Sequence, residues 1–304
     1  MMNKPIIGKA MWIELAPPSI MDVSYIFRKW LDVPYGTQSA AQRVDIYLPN
    51  EGEGPFPVIL AIHGGAWMKG DKRSEEIFPA LCGLERGYAV VAVEYRLSYE
   101  AIFPAQIYDC KTAVRFIHAH AEKYKLNTDR IAAWGSSAGA HLGALLGTSA
   151  GVEALEDLSM GWGDYSSRVH AVVSWYGPNE NFLTMDEQLS ASESGVPDHS
   201  QAESPESLLL GAKITDVPER VEFASPMTYI TEDIPDFLLQ HGTLDQLVPV
   251  EQSINFAHRI EEVAGKEKVI LEILEDSIHA DVAFFSEDNI ARVYTFLDER
   301  FKPG

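Results

Sequence analysis

Cysteine is nearly absent: two in 304 residues, Cys82 and Cys110, too few for a disulfide framework or a cysteine-built zinc cluster. Both fall in stretches that read as helix, where a free thiol packs as a small hydrophobe. Basic residues are scarce as well. There are 24 Lys+Arg against 45 Asp+Glu, a formal charge of −21. Without clustered Lys and Arg the chain cannot grip nucleic-acid phosphates or an anionic membrane surface, so neither is expected as a partner. The acidic excess is expected to serve solubility. No apolar run approaches the roughly 18 residues of a membrane helix; the longest lies near Phe56–Ile62. Met1 to Pro18 has no sustained apolar core and no small-residue cleavage site, which predicts a cytoplasmic protein. Repeats, low-complexity tracts and metal-ligand spacings are missing too, so no metal is expected.

What is present is ordinary globular composition, 46% hydrophobic and 23% charged. Arg43–Leu48 alternates apolar and polar, as a half-buried strand does. Val58–Ile62, Ala89–Val93, Ile131–Trp134, Ala171–Trp175, Phe237–Leu239 and Val269–Leu274 are short and apolar, the pattern of strands covered on both faces. Between them, Pro104–Tyr124, Pro249–Ala264 and Ser286–Phe301 carry apolar residues at helical spacing. Alternating strand and helix predicts an α/β fold with a mostly parallel central sheet and helices on both faces. We expect one domain over residues 1–304, with an N-terminal segment at 1–32. From about 182 to 235 no clear strand occurs, and Ser, Glu, Asp and Pro are frequent. A stretch this long inside a compact domain predicts a partly helical, cap-like insertion over one end of the sheet.

The strongest chemical signal is Gly135-Ser136-Ser137-Ala138-Gly139, following a β-run and leading into a small-residue helix, Ala140–Gly147. Its glycines permit a tight strand-to-helix turn that lifts Ser137 clear of the backbone. Gly147-Thr148-Ser149-Ala150-Gly151 fits the same G-x-S-x-G spacing but follows a helix, so it reads as a helix end and turn. A serine hydroxyl needs a base, and the base needs an orienting acid. Asp245 follows the strand Phe237–Leu239, and His279 follows Val269–Leu274. The order Ser, Asp, His, each past a strand end, is that of α/β-hydrolases, and such loops gather at one sheet edge. His118, His120, His141 and His258 lie on helices, and His241 is too close in sequence to Asp245 to be a separately positioned base. Asp236 precedes its strand, while Asp276 and Asp281 crowd His279. These considerations leave Ser137, His279 and Asp245 as candidate nucleophile, base and acid. After strand Val58–Ile62 comes His63-Gly64-Gly65-Ala66-Trp67, where small residues allow backbone N–H groups to face a substrate oxygen. Gly65, Ala66 and Ala138 are the expected oxyanion-hole donors. Trp67 is a candidate substrate-binding residue; like Trp162, Trp175 and Phe182, it has core filling as its alternative.

His63-Gly-Gly-Ala-Trp67, Tyr95-Arg96-Leu97, the Ser137 motif, His241-Gly-Thr-Leu-Asp245 and His279 together resemble the hormone-sensitive-lipase-like branch of α/β-hydrolases. The similarity is greatest to bacterial carboxylesterases of the feruloyl- and acetyl-esterase-like group, and Val44-Asp-Ile-Tyr-Leu-Pro49 and Ala224-Ser-Pro226 extend it over about residues 33–300. Ala66 stands where that branch often has a third glycine, and His279 lacks the usual flanking glycine. The resemblance implies a cofactor-independent serine esterase acting on small ester substrates through an acyl-enzyme. It also implies an N-terminal segment contributing to the cap and, by fold analogy, a possible homodimer. Arylformamidases share His-Gly-Gly-x-Trp and the triad, which makes amide hydrolysis the alternative expectation. A non-catalytic binding protein on the same fold is the third, disfavoured because all three triad residues are present.

Overall fold

The computed structural model describes residues 19–192 and 195–302. The first 18 positions of the expected N-terminal segment, Trp12 among them, lie outside the described residues. Eight strands, β1 (Lys29–Pro34), β2 (Arg43–Tyr47), β3 (Phe56–Ile62), β4 (Ala89–Val93), β5 (Leu126–Ser136), β6 (Ala171–Trp175), β7 (Asp236–Gly242) and β8 (Val269–Leu274), form one sheet in the order β1-β2-β4-β3-β5-β6-β7-β8. The β1–β2 and β2–β4 pairs are antiparallel; all others are parallel. The helices among the described residues are α1 (Phe78–Leu81), α2 (Ala105–Ala119), α3 (Ala121–Tyr124), α4 (Ala138–Thr148), α5 (Met185–Ser192), α6 (Pro205–Leu210), α7 (Pro218–Ala224), α8 (Glu251–Val263) and α9 (Glu287–Phe301).

Every residue of β3, β4 and β6 is buried, because helices cover both sheet faces. Alternation along each strand divides the core in two. Val58, Leu60 and Val172 face α2, α4 and α8 through residues such as Val114, Leu142 and Phe256. Ile59, Ala61 and Val173 face α9 through Val293 and Leu297. The core is therefore continuous from strand to strand, and strand register sets where each loop emerges.

The sequence reading has no strand at 29–34, yet β1 pairs there with β2. Its residues are mostly exposed, as on an edge strand, so no buried face imposes an apolar pattern. The described part of the N-terminal segment packs on this end of the sheet: Val23 and Ile26 are buried with Tyr47 and Ile59. The 182–235 insertion carries α5, α6, α7 and several 3₁₀ turns and no strand among its described residues. Of the two cysteines, Cys110 lies in α2 and Cys82 in a 3₁₀ turn, Cys82–Arg86. No helix among the described residues is long and apolar enough to cross a membrane.

Candidate active site

Parallel register brings the ends of the central strands to one edge. Ile62 pairs with Gly135, Ser136 with Trp175, Trp175 with Gln240, and Gly242 with Leu274. The loops that follow, carrying residues 63–67, Ser137, Asp245 and His279, therefore leave the sheet side by side.

Ser137 occupies the turn between β5 and α4 with φ 51° and ψ −119°, outside the regions an L-residue ordinarily adopts. Such a conformation costs on the order of 1–3 kcal/mol and persists only where packing enforces it. Here the flanking glycines allow the packing. A Cβ at Gly135 would lie 2.2 Å from the Gly139 carbonyl oxygen, and one at Gly139 would lie 2.1 Å from that of Ile62. The Ser137 N–H donates to the Trp175 carbonyl at 2.9 Å, tying the turn to β6. Ser149, in the second G-x-S-x-G, caps the far end of α4, fully buried, with its hydroxyl donating to the Leu145 carbonyl.

Ser137 Oγ donates to His279 Nε2 at 3.1 Å, and His279 Nδ1 donates to Asp245 Oδ2 at 2.7 Å. Asp245 Oδ1 accepts the N–H groups of Leu247 and Val248, both at 2.9 Å. Burial alone raises a carboxyl pKa. The neighbouring positive charge of His279 and the hydrogen bonds from His241 and His279 override it and hold Asp245 well below the usual carboxylate range. Asp245 is thus held as the carboxylate. The ring of Tyr176 meets His279 edge-on at 4.7 Å and limits its swing.

Two supporting residues escape the sequence reading. The His241 Nε2 stands 3.2 Å from Asp245 Oδ2 and 2.9 Å from the Val248 carbonyl, with Nδ1 2.7 Å from Ser253 Oγ. It buttresses the acid, and its presence in the His241-to-Asp245 run is the signal that points to it. Glu76 has no such signal: its Oε2 accepts the Gly64 N–H at 2.7 Å and the Ser136 hydroxyl at 3.0 Å, linking the oxyanion loop to the elbow. His141, by contrast, is buried in α4, donates to the Ala224 carbonyl at 2.8 Å, and burial pushes its pKa down to about 4.

Gly65, Ala66 and Trp67 all have positive φ, 101°, 55° and 55°. Successive residues of this kind form a concave nest of N–H groups suited to an anion. Ala138 opens α4, so its N–H is a first-turn donor without an intrahelical acceptor. Ala66, Trp67, Ser137, Ala138 and His279 line one small cavity of about 20 Å³, closed by Pro178, His199, Pro205, Glu206, Leu247 and Val248. Gly65 stands one residue back from it, its Cβ position only 2.3 Å from the Lys69 carbonyl oxygen. Trp67 borders the cavity and is 2% exposed, packed edge-on against His141 and Phe182. Trp175 and Phe182 are core residues, and Trp162 meets Phe116 and His120 edge-on. A larger cleft, about 630 Å³, borders Tyr176 and Ala280 and is lined also by Met21, Glu76, Phe78 and Phe285.

A serine hydroxyl, an imidazole and a buried carboxylate in hydrogen-bonded series beside backbone donors can perform acyl transfer. Comparison with known proteins points the same way. A family profile described as BD-FAE matches residues 44–260. Esterase LipQ of Mycobacterium tuberculosis is 30% identical over 252 residues, 82% of this chain and 56% of that protein. Esterase LipC of the same organism is 29% identical over 269 residues, 86% of this chain and 62% of that protein. The chain spans about three-fifths of the length of these curated relatives. A solved truncated carbohydrate esterase from gut microbiota superposes with TM-score 0.81 at 29% identity, covering 93% of this chain and 99% of that one. A bifunctional GH43-CE protein of Bacteroides eggerthii gives TM-score 0.80 at 33% identity, covering 90% of this chain and 35% of that one.

Proposed function

The chain belongs to the BD-FAE family and has the α/β-hydrolase fold, and on that premise we propose that it is a serine carboxylic-ester hydrolase acting on small esters. The observation that carries the proposal is the relay Ser137–His279–Asp245, with links of 3.1 and 2.7 Å. In this reading Ser137 Oγ attacks the ester carbonyl while His279 Nε2 takes its proton. The carbonyl oxygen becomes an oxyanion held by the N–H groups of Gly65, Ala66 and Ala138; losing one such donor costs about 3 kcal/mol of barrier. Collapse expels the alcohol, protonated by His279, and leaves an acyl-Ser137 ester. Water then attacks that ester with His279 as base, and the acid departs as Ser137 regains its proton. Asp245 stays ionised throughout, orienting the ring and stabilising its cation.

The small cavity beside Ser137 supports a short acyl group, and the names of the structural neighbours bring carbohydrate esters forward as a leaving-group class. Initial rates on nitrophenyl acetate through decanoate, an acetylated sugar, methyl ferulate and N-formylkynurenine test the reading. Wild type is expected to turn over the shortest esters best, and Ser137→Ala to be inactive with its fold intact. Activity retained in Ser137→Ala would sink the nucleophile assignment. A preference for the formamide would move the function to amide hydrolysis.

A further inference from the structure

We infer that the cap places a polar acceptor at the end of the acyl pocket, and that Glu206 thereby selects acyl groups carrying a hydroxyl on the carbon next to the carbonyl; this rests on the esterase reading above. The cavity at Ser137, about 20 Å³, has room for roughly one or two water-sized groups. An enzyme for plain alkanoyl esters is expected to end such a pocket in aliphatic side chains. Here the cap contributes Glu206, a carboxylate 3% exposed. Glu206 Oε1 lies 3.1 Å from His199 Nδ1, which answers its charge. Oε2 is buried as well and has no hydrogen-bond partner among the described residues. A buried charged acceptor left in that state is costly, and a ligand that brings a donor recovers the cost.

Neither residue is free to turn aside. Glu206 sits in the first turn of α6, behind Pro205 and the capping Ser204, whose Oγ accepts the Ser207 N–H at 3.1 Å. His199 is 2.9 Å from the Leu247 carbonyl through Nε2 and donates its backbone N–H to Asp186 Oδ1 at 2.8 Å. The pair therefore spans from the cap to the loop that holds Asp245. The acyl group that fits both the volume and the acceptor is glycolyl-like: two carbons, with a terminal hydroxyl to donate to Oε2. Propionyl has nearly the same shape and a methyl in place of the hydroxyl, so it fills the space and leaves Oε2 unsatisfied.

The test is kcat/KM for the acetyl, glycolyl and propionyl esters of one alcohol, each divided by its rate with hydroxide to remove intrinsic reactivity. It is run on wild type, Glu206→Gln and Glu206→Leu. Wild type is expected to prefer glycolyl by roughly tenfold or more. The preference should shrink in Glu206→Gln, which keeps one acceptor, and vanish in Glu206→Leu because glycolyl turnover falls further than propionyl turnover. A merely structural Glu206 would instead lower both substrates together. Equal normalised rates in wild type overturn the inference with no variant needed, and so does a preference that survives Glu206→Leu. If the leucine variant does not fold, wild type and Glu206→Gln still decide. Acetate turnover without a glycolyl preference refutes only the role of Glu206; inactivity of wild type on all three esters refutes the esterase reading itself.

Discussion

Replacing Asp245 by Asn leaves the shape of the triad almost unchanged and reverses one hydrogen bond. Two backbone donors, Leu247 N–H and Val248 N–H, converge on Oδ1 at 2.9 Å. The amide oxygen of an asparagine must stay there, because turning it away strands two donors, each bond being worth about 1 kcal/mol. The amide NH₂ then faces His279 Nδ1, which now has to accept. That tautomer carries its proton on Nε2, the atom that must accept the Ser137 proton at 3.1 Å. The base is blocked by geometry and not only by a lost charge. In triads of this kind the change lowers kcat by about 10⁴-fold, equivalent to about 5 kcal/mol of barrier. Stability should move far less, by about 1–3 kcal/mol, since a buried charge is removed along with its hydrogen bonds. The assay is steady-state hydrolysis of nitrophenyl acetate by wild type and Asp245→Asn, beside urea unfolding of both. A folded Asp245→Asn protein within about tenfold of wild-type kcat would refute the tautomer argument.

Two further outcomes follow from the packing. Burial alone would lower the pKa of His199, but Glu206, Asp186 and Asp198 hold it at about 9, above its ordinary 6.5. Its raised pKa means that the contribution is complete below pH 6.5 and lost as pH rises through about 9, up to about 3 kcal/mol. The melting temperature should therefore fall by roughly 5 °C across that window, and His199→Gln should flatten this part of the curve. A pH-independent melt in wild type contradicts the ion pair. Gly139→Ala puts a methyl 2.1 Å from the Ile62 carbonyl oxygen and 2.6 Å from that of His63, both backbone and unable to yield alone. We expect a loss of about 3 kcal/mol in urea unfolding together with most of the esterase activity; a neutral substitution would mean that the elbow packs less tightly than described.

Much of the fold is legible locally. Ala89–Val93, Ala171–Trp175 and Val269–Leu274 are expected as strands and observed with the same limits, because apolar β-branched runs between turn residues have few other uses. The elbow helix begins two residues earlier than expected, at Ala138, since the helical conformation starts directly after the strained Ser137. Strand β1 was not legible: an exposed edge strand makes its hydrogen bonds with β2 whatever its side chains, so its pattern carries no signal. Trp67 shows the limit in one residue. Its position after the glycine pair suggests a pocket and its indole suggests core; it lines the small cavity and is buried.

The sequence by itself determined the strand and helix alternation, the elbow at Ser137, the chain order of Ser137, Asp245 and His279, and the small-residue loop at 63–67. All of these are short-range patterns in which backbone freedom, spacing or periodicity is the cause. Only the tertiary structure decided how those pieces meet. Parallel register brings four loops to one edge, which no single segment encodes. Glu76 reaches the elbow across 60 positions of chain, and His241, set aside as a base, becomes the buttress of the acid. The small cavity beside Ser137 is the clearest case: its size and its buried Glu206 arise where the 182–235 insertion, the turn at Ser137 and the Asp245 loop meet. Contacts between distant segments obey packing and charge compensation, and neither has a period that a sequence can display.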